Sequence, residues 1–192
     1  SSEAKTASCN LANRLITLPY LGNMTNIDTH MLFLGHEVAH LVFSTKEMID
    51  KMYSSNTAFD YFNIILDIRD EKKFKAEYPG FVKHFVKGYQ NLLNDGFFGS
   101  RQSLCFRAFA NRLNAYAKLG APQNAFIPMS EYELKFYDRC MVAETYDDIL
   151  RLSAELQALS IKSMKNVREK IEHLSADDIE SLMGEHLDSD DE

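Results

Sequence analysis

The chain has only three cysteines, Cys9, Cys105 and Cys140, an odd number with no CxxC pair and no histidine at ligand spacing beside them. Neither a disulfide framework nor a zinc ribbon is suggested, and a reduced, cytoplasmic setting is expected. Positive charge is scarce too: Lys and Arg number 21 against 28 Asp and Glu, a net charge of −7. Nucleic-acid phosphates and anionic membranes both attract basic faces, so neither is an expected partner. No apolar run approaches the roughly 18 residues that a membrane span needs. The opening SSEAKTASCN lacks the basic-then-apolar order of a secretory signal.

What is present is 192 residues, 45% hydrophobic and 11% aromatic, enough to bury the core of one globular domain. Residues 1–180 are read as that domain. Residues 181–192 carry Glu185, Asp188, Asp190, Asp191 and Glu192, and are read as a solvated acidic tail or the start of a linker to a further C-terminal region. Removing those five charges from −7 leaves about −2, so the body itself is nearly neutral.

The segment NRLITLPYL over 13–21 alternates with period two and predicts a short strand, which Pro19 confines to an edge or ends. From Asp28, a good N-cap, apolar residues recur at helical spacing as far as Phe43. A second helix is predicted from Thr57 to Glu77, where Pro79-Gly80 stops it, and a third from Phe81 to Leu93. Further amphipathic helices are predicted over 100–119, 130–142 and 145–173, with a break at Gly120-Ala121-Pro122. The expected fold is mainly α (α+β), with a short strand or small sheet before the first helix.

That first helix contains Gly35-His36-Glu37-Val38-Ala39-His40, an HExxH sequence. Residues four apart on a helix lie about 40° apart around it, so both imidazoles can face one ion while Glu37 reaches a water beside it. Zinc held by three protein ligands keeps a position for water and lowers that water's pKa towards 7, leaving a carboxylate to take the proton. With six His and 14 Glu, chance produces this motif about once in a hundred shuffles of the chain. Two unpartnered histidines and a glutamate in so apolar a helix would be costly to desolvate, a cost that a metal removes.

A third ligand is expected from the second helix, where Asn63, Asp67 and Glu71 recur at i, i+4 and i+8 as one polar stripe. Asp67, flanked by Leu66 and Ile68, is the first candidate. Glu71 is either the alternative ligand or the acceptor that fixes a ligand histidine's tautomer, and Asn63 is a further neighbour of the site. Asp70, Lys72 and Lys73 are read as a solvated helix end. Arg69 lies about 200° around the helix from Asp67 and is read as an ion-pair partner elsewhere.

In the order NRLITLP, GHEVAH, NxxxDxRxE, then YPG and a helix carrying Gly88-Tyr89, residues 6–160 resemble a metallopeptidase domain. It is the one that precedes a von Willebrand factor A domain in cobaltochelatase T-subunit-like proteins, particularly those of tailed phages. HExxH is shared by many zincins; its combination with Asn63, Asp67, Arg69, Glu71 and Tyr78-Pro79-Gly80 is more specific. The resemblance implies a zincin-like helical fold, His36 and His40 as zinc ligands, Glu37 as catalytic base and an acid of the second motif as third ligand. It also implies a longer native chain, a location in the host cytoplasm if the protein is phage-encoded, and a MoxR-type AAA+ ATPase as partner. One departure stands out: where the family usually has Glu-Asp, this chain has Leu66-Asp67. If that Glu were the ligand, Asp67 or Glu71 must replace it.

Zincins commonly align a peptide along an edge strand, a role open to residues 14–20. Tyr53, Tyr61, Tyr78, Tyr89, His84 and Arg69 are candidates for stabilising an oxyanion, and no spacing selects one. His30 lies about 120° off the motif's face and is not recruited. Two readings of function follow: a zinc metallopeptidase acting on a peptide or protein substrate, or a catalytically silent adaptor for an AAA+ ATPase or another phage or host protein.

Overall fold

The computed structural model describes residues 7–19, 26–55, 57–99, 103–104 and 107–172. Among them a small antiparallel sheet, β1 (Ser8–Asn10) and β2 (Leu15–Thr17), precedes seven α-helices. These are α1 (Ile27–Phe43), α2 (Lys46–Tyr53), α3 (Phe59–Glu77), α4 (Val82–Asn94), α5 (Phe109–Leu119), α6 (Glu131–Met141) and α7 (Tyr146–Glu172). The mainly helical expectation holds. None of the helices described is long and apolar enough to cross a membrane. The acidic stretch 181–192 lies outside the described residues.

Local chemistry sets most boundaries. Asn26 caps α1, its side chain accepting from Asp28 N at 2.9 Å, so the cap is two residues earlier than expected and Asp28 sits in the first turn. Thr45 caps α2, a helix the sequence reading did not foresee between Ser44 and Thr57, and α3 starts at Phe59. Ser130 and Glu133 form a reciprocal capping box at α6. The strand expected over 13–21 is only Leu15–Thr17, stopping before Pro19, and its partner Ser8–Asn10 was not foreseen. The predicted 100–119 helix is α5, from Phe109, among the described residues.

Two hydrophobic clusters flank α3. One joins Phe62, Ile65 and Leu66 to Met52, Phe109, Leu113, Phe136, Leu152 and Leu156 from α2, α5, α6 and α7. The other joins Phe74 to Leu32 and Ala39 of α1, Phe85 and Tyr89 of α4, and Leu119 of α5. Helix α3 is therefore enclosed from both sides, and every residue from Ile64 to Glu71 is buried. Helix α4 lies close on α1 because residue 88 is glycine: a Cβ there would fall 2.7 Å from Leu32 Cβ and 2.9 Å from the Asp28 carbonyl oxygen. That approach brings the next residue, Tyr89, against α3.

Candidate metal centre

Helix α1 presents His36 and His40 one turn apart, and α3 crosses them with Asp67, Asp70 and Glu71 at i, i+3 and i+4. The two Nε2 atoms are 3.3 Å apart. Asp67 Oδ1 is 3.1 Å from Nε2 of His40 and 3.7 Å from Nε2 of His36. A tetrahedral ion with bonds of about 2.0–2.1 Å requires ligand atoms about 3.3–3.4 Å apart, so the trio has the right spacing before any ion is considered.

The other faces of these groups are fixed. His36 Nδ1 meets Glu71 Oε1 at 2.9 Å, and His40 Nδ1 meets Asp70 Oδ2 at 3.0 Å. Each carboxylate accepts from Nδ1 and orients its ring with Nε2 inward, the arrangement that supports a metal-binding histidine. Asp70 in turn accepts from Ser44 Oγ at 2.5 Å and from Arg69 at 3.0 Å, and Glu71 from Lys75 at 2.8 Å and from the Tyr89 hydroxyl. Asp67 Oδ2 accepts from Lys118 at 2.9 Å and Asn63 at 3.4 Å. Asp67 Oδ1 is buried with no hydrogen-bond partner. This oxygen, on a residue only 4% exposed, faces both Nε2 atoms, so a proton on His40 or a cation shared by the three groups would balance its charge.

Charge tells the same story. Glu37, Asp67, Asp70 and Glu71 bring four negative charges, and Arg69, Lys75 and Lys118 bring three positive ones. With neutral imidazoles the cluster is negative. Burial opposes ionisation of Asp67 and Glu71, but Lys118 and the histidines hold Asp67, and Lys75, His36 and Lys118 hold Glu71, below the usual carboxylate range. Burial likewise disfavours charged His40, yet Asp67 and Asp70 outweigh it and raise its pKa to about 10. Without a metal, a proton on His40 is the nearest substitute for one.

The cleft beside the two histidines is about 550 Å³ and is lined by residues 7–12, His36, Glu37, His40, Asn63 and Leu66, with Tyr53 and Phe59 at its side; Asp67 lines a separate cavity with Glu71 and Lys118. Glu37 is buried and forms no ion pair among the described residues. The Cys9 thiol faces its carboxylate; burial, with Glu37 and Asp70 nearby, pushes that thiol up to about 12.

The structure thus brings together His36, His40 and Asp67, the first-choice trio. Glu71 takes the tautomer-fixing place beside His36, and Asn63 bonds Asp67. Leu66, between them and the core, is buried, and the acid of the trio is Asp67 beside it.

Several expectations are corrected. Asp70 is no solvated helix end: it is 0% exposed and anchors His40, and its i+3 spacing from Asp67 was the available signal. Lys72 and Lys73 reach Glu144 ahead of α7. Arg69 bonds the Phe43 carbonyl and Asp70, the ion-pair role expected of it. His84 pairs with Asp28 at 2.7 Å and Tyr89 is committed to Glu71, which occupies both oxyanion candidates elsewhere. The strand bordering the cleft is β1, where 14–20 was expected. Lys118 and Tyr89 reach the site from α5 and α4, and no local spacing marked them. No protein-family model matches the chain, and no curated protein or solved structure matches it.

Proposed function

We propose that this domain is a zinc-dependent metallopeptidase in which His36, His40 and Asp67 hold the metal and Glu37 is the general base. The observation that carries the reading is the spacing of His36 Nε2, His40 Nε2 and the buried Asp67 Oδ1, which all lie within 4.8 Å of one another with the oxygen turned towards both rings. Two imidazoles and a carboxylate suit zinc, which when bound supplies a Lewis acid for a peptide carbonyl and acidifies its water. Glu37 takes the proton of the attacking water and hands it to the leaving amine. Asp70 and Glu71 hold the rings, and Lys118 fixes Asp67 by its other oxygen. Strand β1 borders the cleft, and its main-chain groups offer an extended peptide a partner for backbone pairing.

The resemblance to von Willebrand factor A-associated domains extends the proposal to a cytoplasmic protein partnered by a MoxR-type AAA+ ATPase, which co-purification tests. The central test is elemental analysis with two variants. We expect stoichiometric zinc in the purified protein, loss of zinc in His36→Ala, and zinc retained without casein cleavage in Glu37→Gln. Metal-free protein whose stability is untouched by His36→Ala would instead leave the adaptor reading standing.

A further inference from the structure

We infer that the paired rings of Tyr53 and Phe59 form a specificity subsite for an aromatic or large aliphatic side chain of the substrate, about three or four residues from the bond that is cut. The inference rests on the metallopeptidase reading above and deepens it by naming the substrate class. Tyr53 ends α2 and Phe59 begins α3, and their rings stack with centroids 6.2 Å apart and planes within 11° of parallel. Tyr53 is 71% exposed and Phe59 43%, so the pair stays largely open to solvent. Both line the cleft that His36, Glu37 and His40 also line. A lone exposed ring is ordinary on a protein surface, but a stacked aromatic pair left in water within the cleft of the proposed base is a place for apolar ligand surface.

The rest of this wall has little with which to recognise a charged residue. Lys46 and Asp50 pair with each other at 2.8 Å on α2, and Asn63 donates to Asp67. Ile49 and Leu66 add apolar surface to the same wall. Helix α3 is the ruler for distance: Phe59 comes eight residues before Asp67, whose Oδ1 is 3.1 Å from His40 Nε2, and eight residues span about 12 Å of helix axis. An extended peptide covers that length in roughly three or four residues at about 3.3 Å each. A substrate ring at that place packs against the pair at the separation of about 4.5–7 Å that aromatic rings prefer.

Zinc-loaded protein given denatured casein, with the new chain ends read by mass spectrometry, tests this. Bonds with Phe, Tyr, Leu or Met at that distance on one side should be cut about tenfold more often than bonds with Gly, Ala or a charged residue there. Two synthetic decapeptides that differ only in carrying Phe or Ala at the preferred position then separate binding from chemistry. Tyr53→Ala and Phe59→Ala should each raise KM for the Phe peptide about tenfold, leave its kcat within about twofold and leave the Ala peptide unchanged, the pattern of a contact made equally in ground and transition states. Tyr53→Phe, which keeps the ring, should behave as wild type. Zinc-dependent cleavage with no such preference, or a preference that survives in both alanine variants, overturns the inference alone. A wild-type dimer in sedimentation that Tyr53→Ala splits while KM stays unchanged assigns the rings to a second copy of the chain and overturns it too. No zinc-dependent cleavage of casein or of either peptide overturns the metallopeptidase reading and this inference with it.

Discussion

Replacing Asp67 by Asn keeps the shape of the side chain and removes the charge on which the centre depends. In the metal-free protein the loss leaves Lys118, 2.9 Å away, buried without its carboxylate, and takes from His40 one of the two acids that hold its proton. Breaking a buried pair by removing one partner costs about 3–5 kcal/mol. In a domain of this size each kcal/mol is worth about 2–4 °C, so the metal-free variant should melt roughly 6–20 °C below wild type. Zinc at a hundred times its dissociation constant should stabilise the wild type by about 2.7 kcal/mol, a rise of roughly 5–11 °C. A side-chain amide is a poor zinc ligand, so the Asp67→Asn variant should show almost none of that rise, whereas Glu37→Gln should show all of it. Differential scanning calorimetry in EDTA and in buffered zinc reads all three proteins. An Asp67→Asn protein with the full zinc-dependent rise would remove Asp67 from the ligand set and return the role to Glu71.

Asp70→Asn leaves the trio intact but weakens the acceptor on His40 Nδ1, so zinc affinity measured by competition with a chromophoric chelator should fall about 10- to 100-fold without vanishing. Gly88→Ala drives a methyl group to within 2.7 Å of Leu32 Cβ and 2.9 Å of the Asp28 carbonyl oxygen; against a gain in helix propensity of nearly 1 kcal/mol, overpacking of about 1–3 kcal/mol should leave urea unfolding at a lower midpoint. Glu133→Gln preserves the capping box with Ser130 and deletes the charge paired with Arg112. Burial opposes ionisation of Glu133, but Arg112 and the Ser130 amide outweigh it, so its pKa is below the ordinary 4.5 and its ionised form stabilises the fold above that pH. The variant should therefore be about 1–2 kcal/mol less stable at neutral pH, with the gap closing as pH falls below 4.5; a gap constant with pH would refute the ion-pair account.

Much of the centre is written in local spacing. HExxH puts two rings on one turn of α1, and the stripe Asn63, Asp67, Glu71 puts an acid where a packed helix can deliver it. Asp70 was just as available from its i+3 spacing, but its neighbours Lys72 and Lys73 made the segment resemble a solvated end, and only the closure of two clusters around α3 overrides that. Lys118 was not legible, because it reaches α3 across a large sequence separation and sits in no pattern of its own, and Tyr89, one of several oxyanion candidates, had no spacing that tied it to Glu71. The hairpin was half visible: alternation marked Leu15–Thr17, while Ser8–Asn10, three residues without strong β-formers, is a strand only because it pairs with that segment. Helix α2 is eight residues with two buried methionines, too short for a periodic signal to separate it from a loop.

Helix α3 also bears on the choice between the two functional readings. From Ile64 to Glu71 it is buried throughout, and half of those eight residues, Asp67, Arg69, Asp70 and Glu71, are charged. Desolvating such groups costs several kcal/mol per ion, which their mutual attraction barely repays, and apolar residues of similar volume commonly serve stability as well or better. A domain that only docks a partner has no use for this row at the centre of its core, since docking is done by the surface. On the proposed metal reading a divalent ion would give the row its use: it would add positive charge beside the carboxylates, meet Asp67 Oδ1, and make each outer acid a support for a ring. Held together by its own ion pairs and a proton on His40, the row persists without metal; a bound ion would account for the whole row, in a peptidase or in a metal-stabilised adaptor alike, and only a metal-free adaptor leaves it unexplained.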